Sequence, residues 1–228
     1  MKTATFNNFY STASSNYFRA MKICTVLLLV GFLGTSATPI PTTSSPGFPQ
    51  ESPFDVLMND RSIADRLYRK ADAAYTTFIQ DEFDGNSGYC AEQITWDELI
   101  SVRMTPLEWR NLGDEERMQR MRSDLQIFGQ YLEEVKLDEL DKEGHTDTAD
   151  KVDETIHQLS TLMTAIDVTN NVLGFSSPTG TAEIQNIQFR DPFSEFARSI
   201  RDCVVLRDFR VLVQRVHRDF TLLSQKYQ

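Results

Sequence analysis

Three groups of residues in this chain could carry chemistry: its three cysteines, its three histidines and its pairs of adjacent acids. Cys24, Cys90 and Cys203 are widely separated, with no C-x-x-C pair. Each thiol could therefore serve as a nucleophile, a metal ligand, a plain core residue or half of a cross-link. His145, His157 and His217 form no H-E-x-x-H pair and have no ligand spacing, so they read as solvated or rim side chains. Glu133-Glu134 and Asp138-Glu139 could exchange protons with a substrate, but acids at such positions are far more often a solvated helix face. No Gly-rich phosphate loop and no G-x-S-x-G elbow occurs. These patterns point away from an enzyme and imply neither metal nor cofactor.

The cellular compartment decides among the roles of the thiols. Residues 1 to 37 contain Lys2, Arg19 and Lys22 but no Asp or Glu. Within them, "MKICTVLLLVGFLGTSA" (21 to 37) places a lysine before an apolar run from Ile23 to Leu33 that ends on small residues. This is the layout of a secretory signal peptide, with cleavage expected after Ala37 and with either Met1 or Met21 as the start. The run is too short to span a bilayer, which needs about 20 residues. Cleavage would lower Lys plus Arg from 23 to 20 against 33 Asp plus Glu, a formal charge of −13. That charge argues against a nucleic-acid partner, because phosphate contacts require a basic face. Cys24 would leave with the signal peptide, and Cys90 and Cys203 in an oxidising compartment predict one disulfide.

Four stretches with helical spacing must position whatever function remains. A Pro/Thr/Ser-rich leader, expected to be extended and flexible, runs from 38 to 58, and the folded domain is expected over 59–228. Ala64, Leu67, Ala71, Ala74, Tyr75 and Phe78 predict helix A at about 60–83, with Ser62-x-x-Asp65 resembling a capping box near its start. Met118, Met121, Leu125, Phe128, Leu132 and Val135 predict helix B at about 114–140, with Asp114, Glu115 and Glu116 suited to its positive end. Ala149, Val152, Ile156, Leu159, Met163 and Ile166 predict helix C at about 147–173, stopped by Gly174. Asp191-Pro192 reads as the opening of helix D, about 192–226, with Phe196, Ile200, Cys203, Phe209, Val213, Val216, Phe220 and Leu223 along one side.

Four long helices, each with one apolar stripe, predict an all-α, long-chain four-helix bundle. The connections read long, short, long, at about 30, 6 and 18 residues. Only the short one forces an antiparallel neighbour, whereas the long ones can run back along a helix of about 37 Å. The pattern predicts an up-up-down-down, growth-hormone-like topology with two crossovers. Helix D concentrates basic residues: Arg198, Arg201, Arg207, Arg210, Arg215, Arg218 and Lys226. A basic amphipathic helix can also lie on lipid. The alternative to a signalling bundle is thus a secreted carrier of lipid or another apolar ligand acting through helix D, without stable membrane insertion.

Two segments resemble the interleukin-6-type cytokines, in the branch of leukaemia inhibitory factor and oncostatin M. "FARSIRDCVVLRDF" (196 to 209) is similar to that family's helix D opening, and "DEFDGNSGYCAEQ" (81 to 93) to the end of its helix A and the start of the A–B connection. The resemblance implies the same Cys90–Cys203 bridge that the cysteine count predicts. It also implies a secreted protein, monomeric before receptor binding, that joins glycoprotein 130 to a leukaemia-inhibitory-factor-receptor-like chain. The family's F-x-x-K receptor motif matches at Phe196, while the Lys position holds Ser199, with Arg198 and Arg201 as neighbours able to supply a charge. A second receptor surface, on helices A and C, is carried over as a helix A face of Arg61, Asp65, Arg69 and Asp72. No N-x-[S/T] acceptor follows residue 37, a departure from a family in which glycosylation is common.

Overall fold

The computed structural model describes residues 51–95, 105–142, 147–176 and 194–228, all of which fall in the unit Phe48–Gln228. The signal peptide expected at 1–37, the leader as far as Gln50, His145 and the Asp191-Pro192 opening lie outside the described residues. The elements are α1 (Pro53–Phe83), a 3-10 turn (Ser87–Cys90), α2 (Pro106–Asn111), α3 (Asp114–Leu140), α4 (Asp147–Leu173) and α5 (Glu195–Lys226).

α3 and α4 have the bounds that their apolar spacing predicts. α1 starts at Pro53, inside the stretch read as leader, after Ser52 in extended backbone. Proline's fixed φ suits a first helical position, and Val56 and Leu57 extend the buried stripe by two turns. The capping box expected at Ser62 is therefore helix interior, where the Ser62 hydroxyl instead accepts a hydrogen bond from Arg66 at 3.0 Å. α5 is capped by Ser194, whose hydroxyl accepts from the Ala197 amide at 3.3 Å. α2 was not foreseen. The Thr105 hydroxyl accepts from the Glu108 amide and the Glu108 carboxylate from the Thr105 amide, which is a complete capping box.

α1, α3, α4 and α5 pack as a four-helix bundle, with α1 against α4 and α5 and α3 against the same two. Leu57, Leu67 and Phe78 of α1 meet Met118, Leu125, Phe128 and Leu132 of α3, Leu159 and Ile166 of α4, and Phe209, Val213 and Phe220 of α5 in one core. The Phe128 and Phe209 ring centroids are 5.7 Å apart. At Gly129 an added Cβ would sit 3.3 Å from Leu159, so glycine allows α3 and α4 to approach closely.

Polar pairs cross each seam. α1 joins α4 through Lys70–Glu154 at 2.5 Å and Asp81–Thr148 at 2.8 Å. α1 joins α5 through Glu82–Ser199 at 2.7 Å and Asp72–Arg210 at 3.0 Å. α3 joins α4 through Arg122–Asp167 at 3.0 Å and Lys136–Asp153 at 2.5 Å. α3 joins α5 through Asp114–Lys226, Arg117–Asp219 and Asp138–Arg201. α2 is anchored by Trp109, a buried side chain whose indole N–H donates to Asp219.

Candidate functional site

The site of interest lies where α1 ends, the first connection begins and α5 opens. α1 terminates at Asp84, in the left-handed region at φ 49°, followed by Gly85 at φ 81°. The Asn86 side chain accepts from the Gly88 amide at 3.0 Å and turns the chain into Ser87–Cys90. Cys90 and Cys203 then face each other with Cα atoms 5.8 Å apart, a separation suited to a disulfide. Arg207 holds the same segment, donating to the carbonyl oxygens of Cys90, Ala91 and Ile94 at 3.0, 2.8 and 3.0 Å.

These restraints bring three aromatic rings together. Tyr89 stacks on Phe83 at 4.8 Å and 24°, and Phe196 meets Tyr89 edge-on at 6.0 Å and 86°. Phe83 is buried against Phe78, whereas Tyr89 is 42% exposed and Phe196 59% exposed. Beside them lies a groove of about 410 Å³ lined by Glu82, Phe83, Asp84, Tyr89, Glu195, Phe196 and Ser199.

The residues expected on the helix D receptor surface separate into two sets. Phe196 is exposed and Arg198 half-buried, but Ser199 is only 5% exposed and donates to the Glu82 carboxylate at 2.7 Å. Arg201 is 2% exposed and corrects the expectation: its guanidinium turns inward to Asp138 and Asp202 and cannot supply charge to a surface partner. The physical reason is local neutralisation, since a buried cation persists only beside carboxylates.

On α1, Arg69 is exposed and pairs with Asp65 one turn earlier. Asp72 binds Arg210, which also stacks over the Tyr75 ring at 4.5 Å. Arg61 and Asp65 line a second groove of about 370 Å³ with Met58, Ser62 and His217. Asp72 and this groove border α5, whereas the resemblance pairs the α1 surface with helix C, here α4.

The buried charges are not at the groove. Burial pushes the Asp60 carboxyl up to about 7, partly opposed by Thr169, and pushes Asp124 up to about 6, partly opposed by Arg120 and Arg215. Asp202 also rises through burial, against the pull of Arg201. The acids at Asp138-Glu139, read from sequence as a solvated face, are likewise buried. Asp138 is the partner of Arg201, and Glu139 pairs with Lys142 at 2.6 Å. Glu133 is exposed, and His157 stands exposed beside Asp153. Among the described residues no grouping of His, Cys, Asp or Glu could hold a metal ion, and no helix is long and apolar enough to cross a membrane.

Sequence reasoning missed Tyr89, Asp84 and Arg207. Tyr89 had a signal in its position next to a cysteine whose partner lies seven residues after Phe196. Arg207 had none, because burial of an arginine is decided by carbonyls from a distant segment. No protein-family model matches the chain, and no curated protein is significantly similar to it.

Proposed function

We propose that this chain is a secreted helical cytokine that signals by bridging glycoprotein 130 and a leukaemia-inhibitory-factor-receptor-like chain. The observation that carries the reading is Phe196. It opens α5, remains 59% exposed, and is braced by Tyr89 rather than absorbed into the core. A large aromatic side chain at the surface is of the type that dominates binding hot spots.

The order of the polar pairs supports an up-up-down-down topology. From Lys70–Glu154 to Asp81–Thr148, residue numbers rise along α1 and fall along α4. The same reversal holds for Asp72–Arg210 to Glu82–Ser199, for Arg122–Asp167 to Lys136–Asp153, and for Asp114–Lys226 to Asp138–Arg201. If each neighbour is antiparallel, α1 and α3 run one way and α4 and α5 the other, the arrangement of long-chain cytokine bundles. Secretion is supported by the apolar run at 23–33 and by two remaining cysteines placed to bond. The carrier alternative draws little support from α5. Arg201 and Arg207 are buried, Arg210 and Lys226 are paired across seams, and Arg215 lies over Trp109.

The test is binding of the purified, oxidised protein to the soluble ectodomains of both receptors, with Phe196→Ala in parallel. Binding to either ectodomain, weakened at least tenfold by Phe196→Ala with unchanged far-UV circular dichroism, supports the reading. Binding to neither ectodomain by a folded protein overturns it.

A further inference from the structure

The end of α1 departs from a local rule. The C-terminal end of a helix is the negative end of its dipole and favours cations, yet the last turn of α1 has no basic residue and carries Asp81 and Glu82, with Asp84 as the cap. A left-handed cap is ordinarily Gly or Asn, and Asn would satisfy the same backbone at Asp84 without a charge. Asp81 is occupied by Thr148, and Glu82 by Lys142 at 2.6 Å and Ser199. Asp84 has no ion pair among the described residues, and neither does Glu195 across the groove. The described lining of the groove therefore holds three carboxylates, no cation, and the exposed rings of Tyr89 and Phe196. Such departures from local consistency concentrate at functional sites.

We infer that this groove accepts an arginine or lysine side chain of a protein partner, its cation between Asp84 and Glu195 and its stem against Tyr89 and Phe196. The inference rests on the reading of this end of the bundle as a docking surface, and it names the chemistry of what docks. Aromatic faces attract cations, carboxylates bind guanidinium with charge-assisted hydrogen bonds, and the long stem of either cation packs on apolar surface.

The probe is the blocked peptide acetyl-Gly-Leu-Arg-Leu-Gly-amide, compared with its citrulline twin, titrated into the full oxidised protein and followed by amide chemical shifts. The expected result is saturable shifts at Gly85, Tyr89 and Phe196 with the arginine peptide. Apparent affinity should fall at least fivefold with citrulline and at least fivefold in the Asp84→Asn/Glu195→Gln variant. Asn tolerates the left-handed region, so the variant should keep the wild-type spectrum elsewhere. Equal response to citrulline, shifts spread over the acidic surface, or the same pattern from calcium chloride alone would each overturn the inference. Receptor ectodomain binding that Phe196→Ala weakens but Asp84→Asn/Glu195→Gln leaves unchanged overturns this inference alone. Peptide binding without binding of either ectodomain overturns only the receptor assignment.

Discussion

Replacing Cys90 and Cys203 together with alanine should remove the largest single constraint on the first connection. The two positions are 113 residues apart, and the chain-entropy relation for a loop of that size gives about 16 cal/mol/K, or about 5 kcal/mol at 25 °C. Alanine is the appropriate replacement because both sites are fully buried, where a serine hydroxyl would add a desolvation cost of its own. Arg207 should keep the folded segment in place without the bridge, but it does not reduce the loss, because the loss arises in the unfolded chain. Its three carbonyl hydrogen bonds hold Cys90, Ala91 and Ile94 whether or not the sulfurs are joined. The expected outcome is a urea midpoint lowered by the equivalent of about 3 to 5 kcal/mol, read from oxidised wild type and the double variant with their m-values compared. Tyr89 precedes Cys90, so the proposed receptor binding should weaken more in the double variant than its remaining folded fraction explains. A loss below about 1 kcal/mol, or two free thiols per folded chain in the wild type, would refute the reasoning.

Two further predictions concern the buried charges. Arg201→Ala should cost about 3 to 5 kcal/mol by leaving Asp138 and Asp202 buried without their cation. Arg201→Ala combined with Asp138→Asn and Asp202→Asn should recover part of that loss in urea titrations. The Asp60 and Asp124 pKa values, about 7 and about 6 against an ordinary 3.8, are raised in the folded state. The folded protein therefore binds more protons than the unfolded chain across that window, so their contribution is complete below about pH 4 and is lost as pH rises through about 6 to 7. Thermal midpoints at constant ionic strength should fall from pH 5 to pH 8, and Asp60→Asn should flatten the slope. A midpoint that rises over that range in the wild type would contradict the burial argument.

Much of the bundle was legible because helical spacing is a local property. The stripes of α3 and α4 predict both of their bounds, and the short link between them fits their packing as neighbours. The start of α1 was missed because Pro53 was read with the proline-rich leader, although a proline can open a helix as readily as it can exclude one. α2 was also legible in principle, since Thr105-Pro106-Leu107-Glu108 spells a capping box. Its stability depends, however, on the distant Trp109–Asp219 contact.

The candidate site was only half visible. The two cysteines could be singled out by their count, and Phe196 by its match to the F-x-x-K motif of the family that this segment resembles. Which polar side chains near Phe196 face outward could not. Over 201–207 every residue of α5 is buried, two arginines among them, because α3 supplies Asp138 on one side and the first connection supplies three carbonyls on the other. Spacing and composition, which are read along the chain, were enough for the class of fold, the placing of most helices and the acidic character of the domain. It took the packing of the bundle to make Arg201 a buried partner of carboxylates and to bring Tyr89 against Phe196 beside Asp84. Those outcomes depend on groups more than 60 residues apart in sequence brought within contact, and no local pattern encodes them.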